Sequence, residues 1–135
     1  MSDSPPLVSE FKSKSGLRRV WKAMRYSLAG LHTAFKSEHA FRQELMVALP
    51  AGVLALLLPV SALEKFLLVG LLVLVLIVEL INSAIEAAID RISLERHPLS
   101  RNAKDFGSAA VALAILLAVA GWGTILAPVA LSMLG

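Results

Sequence analysis

Residues 66–78 are thirteen successive positions without a charge, and they run directly into residues 79–90, a stretch that holds three carboxylates. Across a bilayer a single chain segment can be only an α-helix, because there every backbone donor and acceptor must be satisfied within the segment. At 100° per residue Glu79, Asn82, Ser83, Glu86 and Asp90 fall within about a 100° arc, while Leu80, Ile81, Ile85 and Ile89 lie outside it. Carboxylates at or near membrane depth are costly and face protein or a water-filled cavity rather than lipid. The stripe is therefore a candidate site for chemistry or ion movement.

The rest of the chain agrees with a bilayer as its solvent. Of 135 residues 57% are hydrophobic and only 17% charged, with a mean hydropathy of +0.75, far more apolar than a soluble domain of this length. At 1.5 Å per residue, three stretches are long enough to cross about 30 Å of hydrocarbon: 45–63, 66–89 and 108–134. The predicted fold is all-α, with three transmembrane helices and an N-terminal amphipathic surface helix. Pro50 and Pro59 can each kink or end the first span. Glu79 is the deepest acidic residue of the second.

Lys and Arg set the orientation. Eight of the thirteen precede the first span and four (Arg91, Arg96, Arg101, Lys104) lie between the second and third, while the first inter-span loop has only Lys65. The positive-inside rule predicts a cytoplasmic N-terminus and second loop, and an outside C-terminus. The carboxylate stripe then leans toward the cytoplasm. No charged n-region, apolar core and small-residue cleavage site open the chain, so no removable signal peptide is expected and the first span acts as its own insertion signal. Without cysteine there are no disulfides or thiolate sites, and a metal would take oxygen or histidine ligands.

Residues 1–15 are polar, contain Pro5 and Pro6, and read as a disordered tail ahead of one integral membrane domain at 16–135. Over 17–36 the apolar residues Leu17, Val20, Trp21, Met24, Leu28 and Leu31 share about a 100° arc flanked by Arg18, Arg19, Lys22 and Arg25, the pattern of a helix lying in the interface. The bland alternative is a charged anchor that only sets topology. A second helical stretch, 33–44, leads into the first span, with Glu38 and Arg42 at i,i+4 spacing.

Mg²⁺ typically engages one or two protein carboxylates together with nucleotide phosphates, and Glu38 and Glu86 can supply such a pair. A third carboxylate set deeper, Glu79, suits a general base for an alcohol. Lys104 offers a cation for phosphate oxygens, and Asp105 a carboxylate able to accept from a ribose hydroxyl or an amine. Three functional classes stay open on these residues: phosphoryl transfer to a membrane alcohol, a cation channel or proton relay, and a structural subunit whose polar stripe joins helices. A relay wants ionisable partners in several spans, and spans one and three have none beyond their cytoplasmic ends.

Residues 79–91 (ELINSAIEAAIDR), followed by 102–110 (NAKDFGSAA) and preceded by 38–44 (EHAFRQE), resemble the prokaryotic diacylglycerol kinase family of small integral membrane enzymes. The resemblance runs from Leu17 to Trp122 with matching spacing between the blocks. It implies a homotrimer in the bacterial inner membrane that transfers the γ-phosphoryl group of MgATP to diacylglycerol, yielding phosphatidic acid, with lipid, ATP and membrane as partners and no nucleic acid. By position, Glu79 matches the catalytic base and Glu38 and Glu86 the metal-associated glutamates, with Asn82 and Asp90 supporting. Arg19, Tyr26, Glu38, Glu86, Glu95, His97, Lys104 and Asp105 match nucleotide contacts. Arg19, Phe41, Arg42, Glu79 and Ser108 match the lipid side. No G-x-x-x-x-G-K-[ST] loop occurs, so the nucleotide site is built another way.

Arg25, Pro50 and the long tail before Leu17 depart from the family pattern, at the periphery. A related branch phosphorylates undecaprenol, and 101–110 with 41–43 look closer to the diacylglycerol branch. Other residues have plainer readings: His32 and His39 as interfacial polar groups, Trp21 and Trp122 as anchors or packing residues, Asp90 and Arg91 as a helix-end ion pair, and Glu44 as a solvated partner of Arg42. Ala110, Ala114 and Ala118, followed by Gly121 and Gly123, allow close helix approach, either between subunits or within one chain.

Overall fold

The computed structural model describes residues 16–135, and they form four helices: α1 (Gly16–Ser37), α2 (His39–Leu57), α3 (Ala62–Ile92) and α4 (Pro98–Leu134). The expected tail at 1–15 lies outside the described residues. The chain divides into two units, the first ending at Thr33 and the second comprising Ala34–Gly135. In the first, α1 is exposed throughout, including Leu17, Val20 and Trp21.

In the second unit, α2, α3 and α4 are each long and apolar enough to cross a membrane. Short connections at 58–61 and 93–97 make successive helices antiparallel, and α3 packs against both neighbours. Local chemistry explains each end. Ser61 Oγ accepts from the Glu64 amide at 3.1 Å and Glu64 Oε1 accepts from the Ser61 amide at 3.1 Å, a reciprocal cap that starts α3. Lys65 Nζ donates to the Leu56 carbonyl at 2.9 Å, satisfying an orphan acceptor at the end of α2. His97 Nδ1 accepts from the Leu99 amide at 3.1 Å, and Pro98 takes the first position of α4, where its missing N–H loses nothing.

The helix bounds adjust the expected spans. The stretch expected at 33–44 is broken at Glu38, whose extended backbone (φ −106°, ψ 108°) separates α1 from α2. α2 runs on through Pro50 and stops at Leu57, short of 63, with Pro59 just beyond. Thirty-one residues make α3 about 46 Å long, well beyond the hydrocarbon thickness, so its final turns have room to extend toward the aqueous side.

The seam between α3 and α4 is set by residue size. The buried positions of α3 are Leu68, Val75, Glu79 and Asn82, and those of α4 are Gly107, Ala114 and Ala118, both at helical spacings. Val75, Ala114 and Ala118 form the buried cluster, with Leu71 and Val78 packed on it. Ala114 and Ala118, open in the sequence to either use, thus pack within the chain; Ala110 is exposed. Trp122 Nε1 donates to the Leu68 carbonyl at 3.0 Å and ties the two helices together. Trp122→Phe keeps an aromatic side chain but removes this donor and part of the indole's volume, and is expected to lower stability by about 1–3 kcal/mol. Denaturation in mixed micelles measures it, and an unmoved midpoint would show that the bond adds nothing.

Candidate active site

The acidic stripe of α3 runs from Glu79, near the middle of the helix, to the 93–97 connection, and its environment changes along the way. Glu79 is 5% exposed and Asn82 8%, Glu86 is half-buried, and Asp90 is exposed. Beside Glu79 stands Glu44 of α2, near enough for the two carboxyls to act on each other electrostatically. Glu44 Oε2, Asn82 Oδ1 and Ser83 Oγ are buried without a hydrogen-bond partner. Buried polar groups are normally paired, so orphaned atoms on one turn of α3 and on the α2 residue facing it mark a site that a polar ligand group can complete.

Farther along, Asn82 Nδ2 donates to Glu86 Oε1 at 3.4 Å, and Lys104 Nζ bonds Asp90 Oδ1 at 2.7 Å. Glu86 is near enough for its charge to act on Lys104 as well. Asp90 therefore pairs across to α4 and not with Arg91, as a helix-end pair would. Asp90, Glu95, His97 and Lys104, with Ser93 and Arg101, line a polar hollow of about 850 Å³ at the α3–α4 connection. Its size and mixed charge suit a phosphorylated, polar ligand.

On the other side of Glu44 the walls turn apolar. Ala48, Val75, Ala118, Val119 and Trp122 line a cavity of about 460 Å³ that Gln43 and Glu44 border. The polar stripe and the apolar cavity thus adjoin at Glu44.

The remaining expected residues are placed as follows. Glu38 caps the start of α2 with its backbone but makes no capping bond with its side chain, so its carboxylate is free of that duty. Arg42 Nη1 donates to the carbonyls of Phe35 at 3.0 Å and Lys36 at 2.8 Å, and Nη2 lies 2.8 Å from His39 Nδ1. Its guanidinium closes the exposed end of α1 and pairs with neither Glu38 nor Glu44. Phe41 is 3% exposed and so packs inside, whereas Asp105 and Ser108 are exposed. Arg19 and Tyr26 are exposed on α1, in the first unit.

Glu44, expected as a solvated partner of Arg42, stands beside Glu79 instead. A signal was present: Arg42 and Glu44 are two positions apart, about 200° around a helix, and cannot pair. Among the described residues no three His, Cys, Asp or Glu side chains converge as a metal cage. Mg²⁺ does not require one, since one or two carboxylates plus substrate phosphates can hold it.

A sequence profile described as prokaryotic diacylglycerol kinase matches residues 25–126. The chain is 51% identical to a diacylglycerol kinase of Pseudomonas aeruginosa over 126 residues, covering 93% of this chain and 98% of that protein. It is 51% identical to one of Escherichia coli strain K12 over 108 residues (80% and 88%), and 43% identical to one of Haemophilus influenzae over 112 residues (83% and 95%).

Proposed function

The chain belongs to the prokaryotic diacylglycerol kinase family, and on that premise we propose that it transfers the γ-phosphoryl group of ATP to diacylglycerol, forming phosphatidic acid, as a multi-pass homotrimer of the bacterial inner membrane. One observation carries the reading: buried Glu79 and half-buried Glu44 stand where an apolar cavity meets a stripe that ends at a polar, lysine-bearing hollow. A lipid alcohol and a nucleotide need that combination of surroundings.

Phosphoryl transfer is mainly positioning and charge neutralisation, with a base for the acceptor proton. Glu79 takes the proton of the lipid hydroxyl, and its burial keeps competing water away. The oxygen of that hydroxyl attacks the γ-phosphorus directly, in line with the departing ADP oxygen. Diacylglycerol has no charged headgroup, so it approaches Glu79 sideways through the bilayer with its apolar body in the cavity beside Glu44. Lys104 leaves Asp90 to meet phosphate oxygens, and Glu95, His97 and Asp105 border the nucleotide. Glu38 and Glu86 are the residues that would hold Mg²⁺, which when bound offsets phosphate charge and orients the group transferred. By the positive-inside rule the N-terminus and the 93–97 connection are cytoplasmic, and the C-terminus lies outside.

The test is phosphate transfer from labelled ATP and Mg²⁺ by the purified protein in mixed micelles, with dioleoylglycerol and undecaprenol offered side by side. Labelled phosphatidic acid is expected. Labelled undecaprenyl phosphate would keep the mechanism and change the acceptor, while transfer to neither would overturn the reading.

A further inference from the structure

α4 passes close beside Asn82 of the stripe at a residue without a side chain. Gly107 is buried, and a Cβ placed there would strike Asn82 Oδ1 and lie 3.2 Å from Asn82 Cγ. No glycine among the described residues has a positive φ, so helical backbone at 107 would accept alanine. Glycine inside a helix is in fact less stable than alanine there. What its presence provides is room for one amide. Gly121 makes the contrast: a Cβ there would strike Leu71 Cδ1, the end of a flexible side chain that can turn aside, while Leu71 Cγ lies at an ordinary 3.7 Å. The Asn82 amide is 8% exposed, short, and committed through Nδ2 to Glu86 Oε1 at 3.4 Å. A methyl group at 107 must push it out of that place.

We propose that Gly107 is a positioning residue for nucleotide use: the space it leaves on α4 fixes the Asn82 amide, and the amide in turn fixes the Glu86 carboxylate. The inference deepens the function proposed above and rests on it. Without the methyl group, Glu86 is held on the stripe by Asn82. With it, the amide rotates away and Glu86 is free to swing toward Lys104, whose charge already reaches it. Gly107 touches no reacting atom in this account and acts only through Asn82.

The experiment is a double-mutant cycle in the full chain in mixed micelles, with Gly107→Ala, Asn82→Ala and the pair. Two quantities are read: the rise in thermal midpoint produced by Mg²⁺ with a non-hydrolysable ATP analogue, and the KM for MgATP against kcat. Gly107→Ala is expected to raise KM about tenfold, the scale of one lost hydrogen bond to a charged group, with kcat changed less than about twofold and the ligand-induced rise in midpoint diminished. On the Asn82→Ala background the same change should do nothing further, because residues that act through one contact are not additive. Equal effects of Gly107→Ala on both backgrounds would overturn the proposal and make the glycine a general packing residue. Should Gly107→Ala fail to fold, Asn82→Ala must restore folding, and a double variant that stays unfolded overturns it as well. Wild-type protein that shows no Mg²⁺-dependent rise would overturn the nucleotide reading, and the link to Glu86 with it; the folding comparison alone would then decide whether Gly107 makes room for Asn82.

Discussion

Glu79→Gln is expected to reduce kcat by about 10²- to 10⁴-fold, the range that a positioned general base contributes, with the KM for MgATP little changed. Glutamine keeps the shape and burial of the side chain while removing its ability to take a proton. It also ends the apposition of two carboxyls between α2 and α3, so stability should be kept or raised. Turnover in mixed micelles, with helicity and thermal midpoint measured in parallel, checks both halves. Activity above about a tenth of wild type would assign the proton to another group. Glu44, whose carboxyl stands against Glu79, would then be the first residue to replace.

Glu86→Gln is expected to act on the other substrate. The half-buried carboxylate is anchored by Asn82 and lies near Lys104, at the boundary between the buried stripe and the polar hollow. Loss of its charge should lower kcat/KM for MgATP by about ten- to hundredfold and shift the Mg²⁺ dependence to higher concentration, with part of the loss recovered when Mg²⁺ is raised. The acceptor KM should stay near its ordinary value. A Mg²⁺ midpoint that does not move would remove Glu86 from the metal and leave it as a packing partner of Asn82.

Much of this arrangement was legible because a helix converts spacing into direction. The apolar run at 66–78 and the periodicity of Glu79, Asn82, Glu86 and Asp90 place these groups on one face without reference to any other element, and α3 is continuous over all of them. Contacts between elements were less legible. Nothing local indicates that Asp90 reaches fourteen positions on to Lys104, that Arg42 turns back to the carbonyls of Phe35 and Lys36, or that Glu44 faces Glu79. Each depends on how two helices meet. The break at Glu38 was hidden for a different reason: residues 33–44 carry good helix formers, and no proline or glycine marks the interruption. The burial of Phe41 was not legible either, because an aromatic residue at the mouth of a span suits a lipid contact as well as a buried position.

The α3–α4 seam also limits how the gene can change length. Gly107, Ala114 and Ala118 meet α3 only while their spacing holds, and each inserted or deleted residue turns everything on one side of it by about 100°. A single-codon deletion between positions 107 and 118 would bring a bulkier neighbour such as Phe106 or Val119 to the line where the seam needs a small residue. Such a frame-preserving deletion would be more harmful than most substitutions in the same helix. The 58–61 connection, whose residues carry no such periodic duty toward α4, is where changes of length can be absorbed.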